Sequence, residues 1–148
     1  MNINMGRQPD LIPVMDIEDL RAFMKREFPQ LGDSFEIVAI APGSATMRLR
    51  ADEQHLRPGG TVSGPSLFAL ADVAAYAAIL AHIGPVALAV TTNLNINFLR
   101  KPSPGAVNAV ARLLKLGKRL AVLDIALTDE ATDELVAHAT ATYSIPPR

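Results

Sequence analysis

The chain has 148 residues, enough for one domain with a real core, and 49% of them are hydrophobic, which argues against disorder for its bulk. It holds no cysteine, which excludes disulfides, thiolate metal sites and a cysteine nucleophile, and which suits a reducing, cytoplasmic setting. With 14 basic against 15 acidic residues the net charge is −1, a poor basis for gripping a nucleic-acid duplex.

Residues 1–15 contain Pro9 and Pro13, show no clear periodicity, and read as an N-terminal arm that orders only against something else. They also lack the basic segment and apolar run of a signal peptide. From Asp16 the pattern becomes helical. Asp16 suits a cap, Ile17, Leu20, Met24 and Phe28 recur at helical spacing, and Pro29 and Gly32 end the helix. Residues 35–40 form a first strand, Pro42-Gly43 turns the chain, and residues 45–50 return as a second. Residues 52–60 are polar and end in Pro58-Gly59-Gly60, so they form a loop.

A long helix follows. Pro65 suits its first position, Ser63 or Gly64 its cap, and Gly84-Pro85 its end. It is apolar nearly all round, so protein must cover most of its sides. Asp72 lies near its middle, and a lone carboxylate at mid-bilayer costs roughly 3 kcal/mol, so a buried helix is expected rather than a membrane span. Four strands complete the chain, at about 86–99, 107–116, 119–128 and 135–145. In the first of them Leu88, Val90, Leu94, Ile96 and Phe98 share one face and Asn93, Asn95 and Asn97 the other. No repeat or second domain is visible, so residues 1–148 read as one α+β domain in which a curved antiparallel sheet wraps the long helix, with an extra N-terminal helix. The helix lacks a polar back, which a second protomer could cover.

Asp72 is the only acidic residue of that helix. Burial disfavours its charged form unless donors compensate, and such groups occur both at functional sites and in structural networks. The helix start offers backbone N–H groups and a positive dipole end, which suit a polarised carbonyl, and Gly64 allows close approach of a ligand. Taken alone, Gly64-Pro65 is better explained as an ordinary glycine cap than as a ligand site.

The loop from His55 to Pro65, the following Leu70-Ala71-Asp72, the strand residues 89–99, and the stretches Gly117–Val122 and Val136–Thr140 together resemble the hotdog acyl-CoA thioesterases of the phenylacetate-pathway type. The resemblance implies a hotdog fold, no cofactor beyond the coenzyme A of the substrate, and a homodimer or homotetramer with its site between protomers. It implies that Asp72 acts as general base or nucleophile, that the Gly64 N–H polarises the thioester carbonyl, and that Thr91 helps to hold the water. The sequence departs from the family where many members have His-Gly-Gly and this chain has Ser63-Gly64-Pro65. The Ser63 hydroxyl can donate one hydrogen bond, whereas Pro65 removes a backbone donor. Arg57 stands where many members carry asparagine, so it either meets a phosphate or carboxylate or pairs with Asp72.

Lys115, Lys118 and Arg119 cluster at a turn, and Arg100 and Lys101 end another strand; all are candidates for the phosphates of coenzyme A. Asn93 is a candidate for the wall of an acyl or pantetheine channel. His55, His82 and His138 lack metal-ligand spacing and read as structural, with His82 placed as a cation would suit a helix end. An acyl-CoA hydrolase is the leading expectation. A non-catalytic acyl-thioester binder is the alternative, and a hydratase or dehydratase is disfavoured by the missing histidine.

Overall fold

The computed structural model describes residues 11–148. The arm expected at residues 1–15 therefore lies mostly outside the described residues. Its last part packs on the long helix, where the N–H groups of Val14 and Met15 both reach the carbonyl of Ala81, at 2.7 and 3.2 Å.

Helix α1 spans Ile17–Glu27. Asp16 caps it as its side chain accepts the Asp19 N–H at 2.8 Å, while the Asp19 carboxylate accepts the Asp16 N–H in return. A 3-10 turn, Pro29–Leu31, follows. Helix α2 spans Gly64–Ile83. Ser63 is its cap, with its hydroxyl oxygen accepting the Ser66 N–H, and Gly84 ends it at φ 96°, a conformation that favours glycine.

The strands are β1 (Phe35–Ala41), β2 (Ser44–Arg50), β3 (Val90–Phe98), β4 (Ala106–Leu116), β5 (Leu120–Asp129) and β6 (Leu135–Ser144). They form one antiparallel sheet in the order β1-β2-β4-β5-β6-β3. One face of the sheet packs on α2. Leu113, Leu123, Ile125 and Leu127 meet Leu70, Ile79 and Leu80 there, all fully buried. Each such side chain contributes about 1.5–3 kcal/mol over an exposed one. By length and composition α2 could cross a membrane, yet 72% of that stretch is buried within the protein.

The back of α2 is covered unevenly. The α1 side chains Leu20 and Phe23, both buried, and the chain before them cover its C-terminal half, while Phe68, 41% exposed, and Ala69 remain open on its N-terminal half. His82 is buried among these contacts. Its Nδ1 sits 2.7 Å from the Ala78 carbonyl and its Nε2 accepts the Gly43 N–H at 2.8 Å. An accepting Nε2 requires the neutral ring, so His82 anchors the β1–β2 turn rather than serving as a cation at the helix end. His55 accepts the Asp52 N–H at 3.0 Å, and His138 lies 3.5 Å from Asp124, which also holds Arg112. Among the described residues no three histidine or acidic side chains converge as metal ligands.

Candidate active site

The expected first strand after α2 begins later than the composition suggests. Residues Val86–Ala89 turn instead, with the Ala89 N–H bonded to Val86 O at 3.1 Å. Within β3 the register slips between Thr91 and Asn93, so Thr92 is a bulge. Thr91 pairs with Tyr143, Leu94 with Ala141 and Ile96 with Ala139, and those three partners are buried. The bulge thus turns Thr91 to the helix side, although simple alternation would place it with Asn93. It also removes Val90 from the inward row: Val90 pairs with Ser144 and is 56% exposed.

The consequence is a carboxylate held at two points. Thr91 Oγ1 donates to Asp72 Oδ1 at 2.6 Å. Tyr143 Oη lies 2.7 Å from the same oxygen and 3.0 Å from the Asp72 carbonyl, and its single hydrogen favours the nearer, charged acceptor. Burial, reinforced by the negative charge of Asp72, pushes the Tyr143 hydroxyl well above the usual tyrosine range, so it remains a donor. Asp72 Oδ2 receives no hydrogen bond among the described residues. The carboxylate is therefore oriented through one oxygen and open at the other. It lines a cavity of 480 Å³ with Tyr76, Val73 and Ala89 on its sides and Phe28 and Leu31 from the α1 end. Tyr76 is fixed by its own bond to the Ala87 carbonyl, 2.9 Å. Tyr143 is a residue of this candidate site that the sequence alone does not single out. Its signal was a hydroxyl-bearing ring on an otherwise aliphatic strand face between Ala141 and Ile145.

Gly64 stands elsewhere. Eight residues of helix separate it from Asp72, about 12 Å along the axis. Of the N–H groups in the first turn, that of Ser66 goes to Ser63 Oγ and Pro65 has none, whereas that of Gly64 has no acceptor among the described residues. A Cβ on Gly64 would lie 3.3 Å from the ring of Phe98. This end of α2 opens on a second cavity, of 430 Å³, lined by Gly64, Arg57, Phe98, Arg100 and Lys101.

Several expectations change on this geometry. The Ser63 hydroxyl donates to Ser66 Oγ at 2.9 Å, so capping uses the hydrogen expected for substrate. Pro65 is exposed but is not a wall of the Gly64 cavity. Asn93 pairs with Thr142 on the sheet's outer face, away from Asp72, in plain alternation with the inward Leu94, and the bulge separates it from Thr91. Arg57 shares the Gly64 cavity and makes no ion pair with Asp72. Lys115, Lys118 and Arg119 belong to the β4–β5 turn region, at the end of the sheet where Leu120, Ser144 and Val90 lie in one row. The two groups of cations thus sit at opposite ends of β3.

Relatives share this architecture. The chain matches a crystal structure of a candidate thioesterase from a Silicibacter species with 54% identity and a TM-score of 0.87, over 94% of this chain and 97% of that one. It is 30% identical to the 1,4-dihydroxy-2-naphthoyl-CoA hydrolase of Listeria monocytogenes, over 74% of this chain and 89% of that protein. PaaI of Thermus thermophilus, a phenylacetic acid degradation protein, matches at 27% identity and a TM-score of 0.67, over 84% of this chain and 99% of that one. Residues 59–140, the stretch from the loop before α2 to the middle of β6, match the thioesterase superfamily, and the chain belongs to that family with the hotdog architecture its neighbours share.

Proposed function

We propose that this protein hydrolyses an acyl-CoA thioester, with Asp72 of one protomer and the Gly64 N–H of another acting on the same carbonyl. The observation that carries this reading is the placement of β3. It is an edge strand, and it bears Thr91 beside Asp72 at one end and Phe98 beside Gly64 at the other. An unpaired edge invites pairing with another strand. Two copies of β3 related by a two-fold axis at Asn95 pair Leu94 with Ile96 and Asn93 with Asn97, and the bulge at Thr92 then sets Thr91 of one chain opposite Phe98 of the other. Each open carboxylate oxygen then faces a free helix-start N–H, which a single chain keeps apart. The exposed side chains Phe98, 54% exposed, and Phe68 gain cover in the same step.

In this site Asp72 Oδ2 takes a proton from water as the water oxygen attacks the thioester carbon. The Gly64 N–H receives the developing oxyanion. Collapse of the intermediate breaks the carbon–sulfur bond, and the coenzyme A sulfur takes the proton that Asp72 holds. The products are the free acid and the thiol, and no cofactor is needed. Thr91 and Tyr143 keep the carboxylate aimed, and Thr91 Oγ1 retains lone pairs for the water. The same pairing brings the cations of the Gly64 cavity to the Asp72 side, where phosphates of the carrier would meet them.

Complementation between inactive variants tests the shared site. Asp72→Asn and Gly64→Val are each expected to be inactive alone. Their mixed dimer keeps one intact pair, so a co-expressed equal mixture recovers about a quarter of parental activity by random pairing. No recovery in demonstrated mixed dimers overturns the two-chain site.

A further inference from the structure

A cavity that the reaction does not use lies between α1 and β1, and its volume is 610 Å³. It is larger than the 480 Å³ cavity that holds Asp72. The two have two walls in common, Phe28 and Leu31. These residues stand where α1 gives way to the 3-10 turn, so that junction is the partition between the cavities. The Phe28 ring meets Tyr76 edge-on at 6.0 Å on the Asp72 side. On the far side the floor consists of Met24, Ile37 and Met47, all nearly buried, with the charges of Arg21 and Lys25 at the rim.

We infer that this cavity between α1 and β1 receives the distal part of a long acyl chain and that Phe28 determines the acyl length the enzyme accepts. This rests on the acyl-thioester reading of the Asp72 site. A thioester carbonyl at Asp72 must run its acyl chain along Val73 and Tyr76, and the wall it then reaches is Phe28 with Leu31. Short chains end there. Longer ones must pass the Phe28 ring, and an apolar floor lies beyond it. The two methionines on that floor adapt to a flexible chain. Apart from its ring contact with Tyr76, Phe28 is 36% exposed, so little packing opposes its displacement or removal.

The experiment measures kcat/KM over saturated acyl-CoAs from butyryl to palmitoyl, for the parent and for Phe28→Ala. The expected result is a rise of about tenfold in the long-to-short ratio, the change produced by burying roughly two more methylenes. Met24→Trp, which fills the cavity between α1 and β1 from the helix side, is expected to cancel that gain in the Phe28→Ala background. An unaltered length profile in a folded Phe28→Ala protein overturns the assignment. Calorimetric binding of the same series to Asp72→Asn, with and without Phe28→Ala, separates the two claims. A shift of affinity toward long chains in a parent without turnover refutes hydrolysis and supports the cavity assignment. Turnover with no shift in either readout refutes the cavity assignment and leaves hydrolysis standing.

Discussion

Tyr143→Phe probes how the carboxylate is held. The ring is 3% exposed and the substitution keeps its packing, so the change removes one hydroxyl from a charged acceptor. A hydrogen bond to a charged group contributes about 1.5–3 kcal/mol. Thr91 still donates to the same oxygen at 2.6 Å, so the carboxylate stays oriented in part and the lower figure applies. A loss of about 1.5 kcal/mol corresponds to a Tm lower by roughly 3–6 °C in a chain of this size. Turnover is expected to fall about tenfold, with KM little changed, since the bond positions the base rather than the substrate. Thr91→Val should act alike, and the double variant should lose more than the sum, because Oδ1 then has no donor. The assay is thiol release together with thermal melting on the four proteins of the cycle. Additive effects on both readouts, or parental turnover in Tyr143→Phe, would refute the claim that these hydroxyls aim Asp72.

Tyr143 also fixes an alkaline response. Its folded pKa is raised, so its contribution is complete below the ordinary tyrosine pKa of about 10 and is lost as pH climbs above it. Urea unfolding should show the parent weakening above about pH 10 more steeply than Tyr143→Phe. At the other extreme stands Asp129: burial pushes its pKa up, but hydrogen bonds from the Ser103 hydroxyl and N–H and the Ala131 N–H outweigh this and lower it. Its stabilisation is present above the ordinary carboxylate pKa of about 4 and is lost as pH falls through the depressed value, so Asp129→Asn should cost about 2 kcal/mol at pH 7 and progressively less as pH falls below about 4. Arg57→Asn should leave stability within about 0.5 kcal/mol, since the side chain is exposed in a loop. It should raise KM for acyl-CoA but not for a short thioester without phosphates, and equal KM changes for both would remove the phosphate contact.

The fold was readable because its signals were local. Asp16, Ser63 and Gly84 sit at helix boundaries where capping chemistry demands them, and the all-round apolarity of α2 required the sheet that wraps it. Asp72 stood out as a lone acid in that helix. The site's internal geometry was less readable. Thr91 turns inward only because Thr92 bulges, and alternation along β3 assigns it to the wrong face. Tyr143 reads as core until the pairing of β6 with β3 places it beside Thr91. Ser63 and Arg57 lay close in sequence to the helix start, yet the Ser63 hydroxyl is committed to the cap and Arg57 lines the cavity at the start of α2, away from Asp72. These are long-range facts of register and helix length, which local patterns do not encode.

The central claim is that Asp72 is the reacting carboxylate. Asp72→Asn keeps the side-chain volume, and the amide oxygen can still accept from Thr91 and Tyr143, so the fold should hold and the open position loses only its basic oxygen. The measurement is thiol release from an acyl-CoA that the parent hydrolyses, with melting temperature as the control. The account predicts a fall of about two to four orders of magnitude, the usual scale for a general base, with Tm essentially preserved. Near-parental turnover from the folded variant would contradict it and leave a protein that binds acyl thioesters without using Asp72 to cleave them.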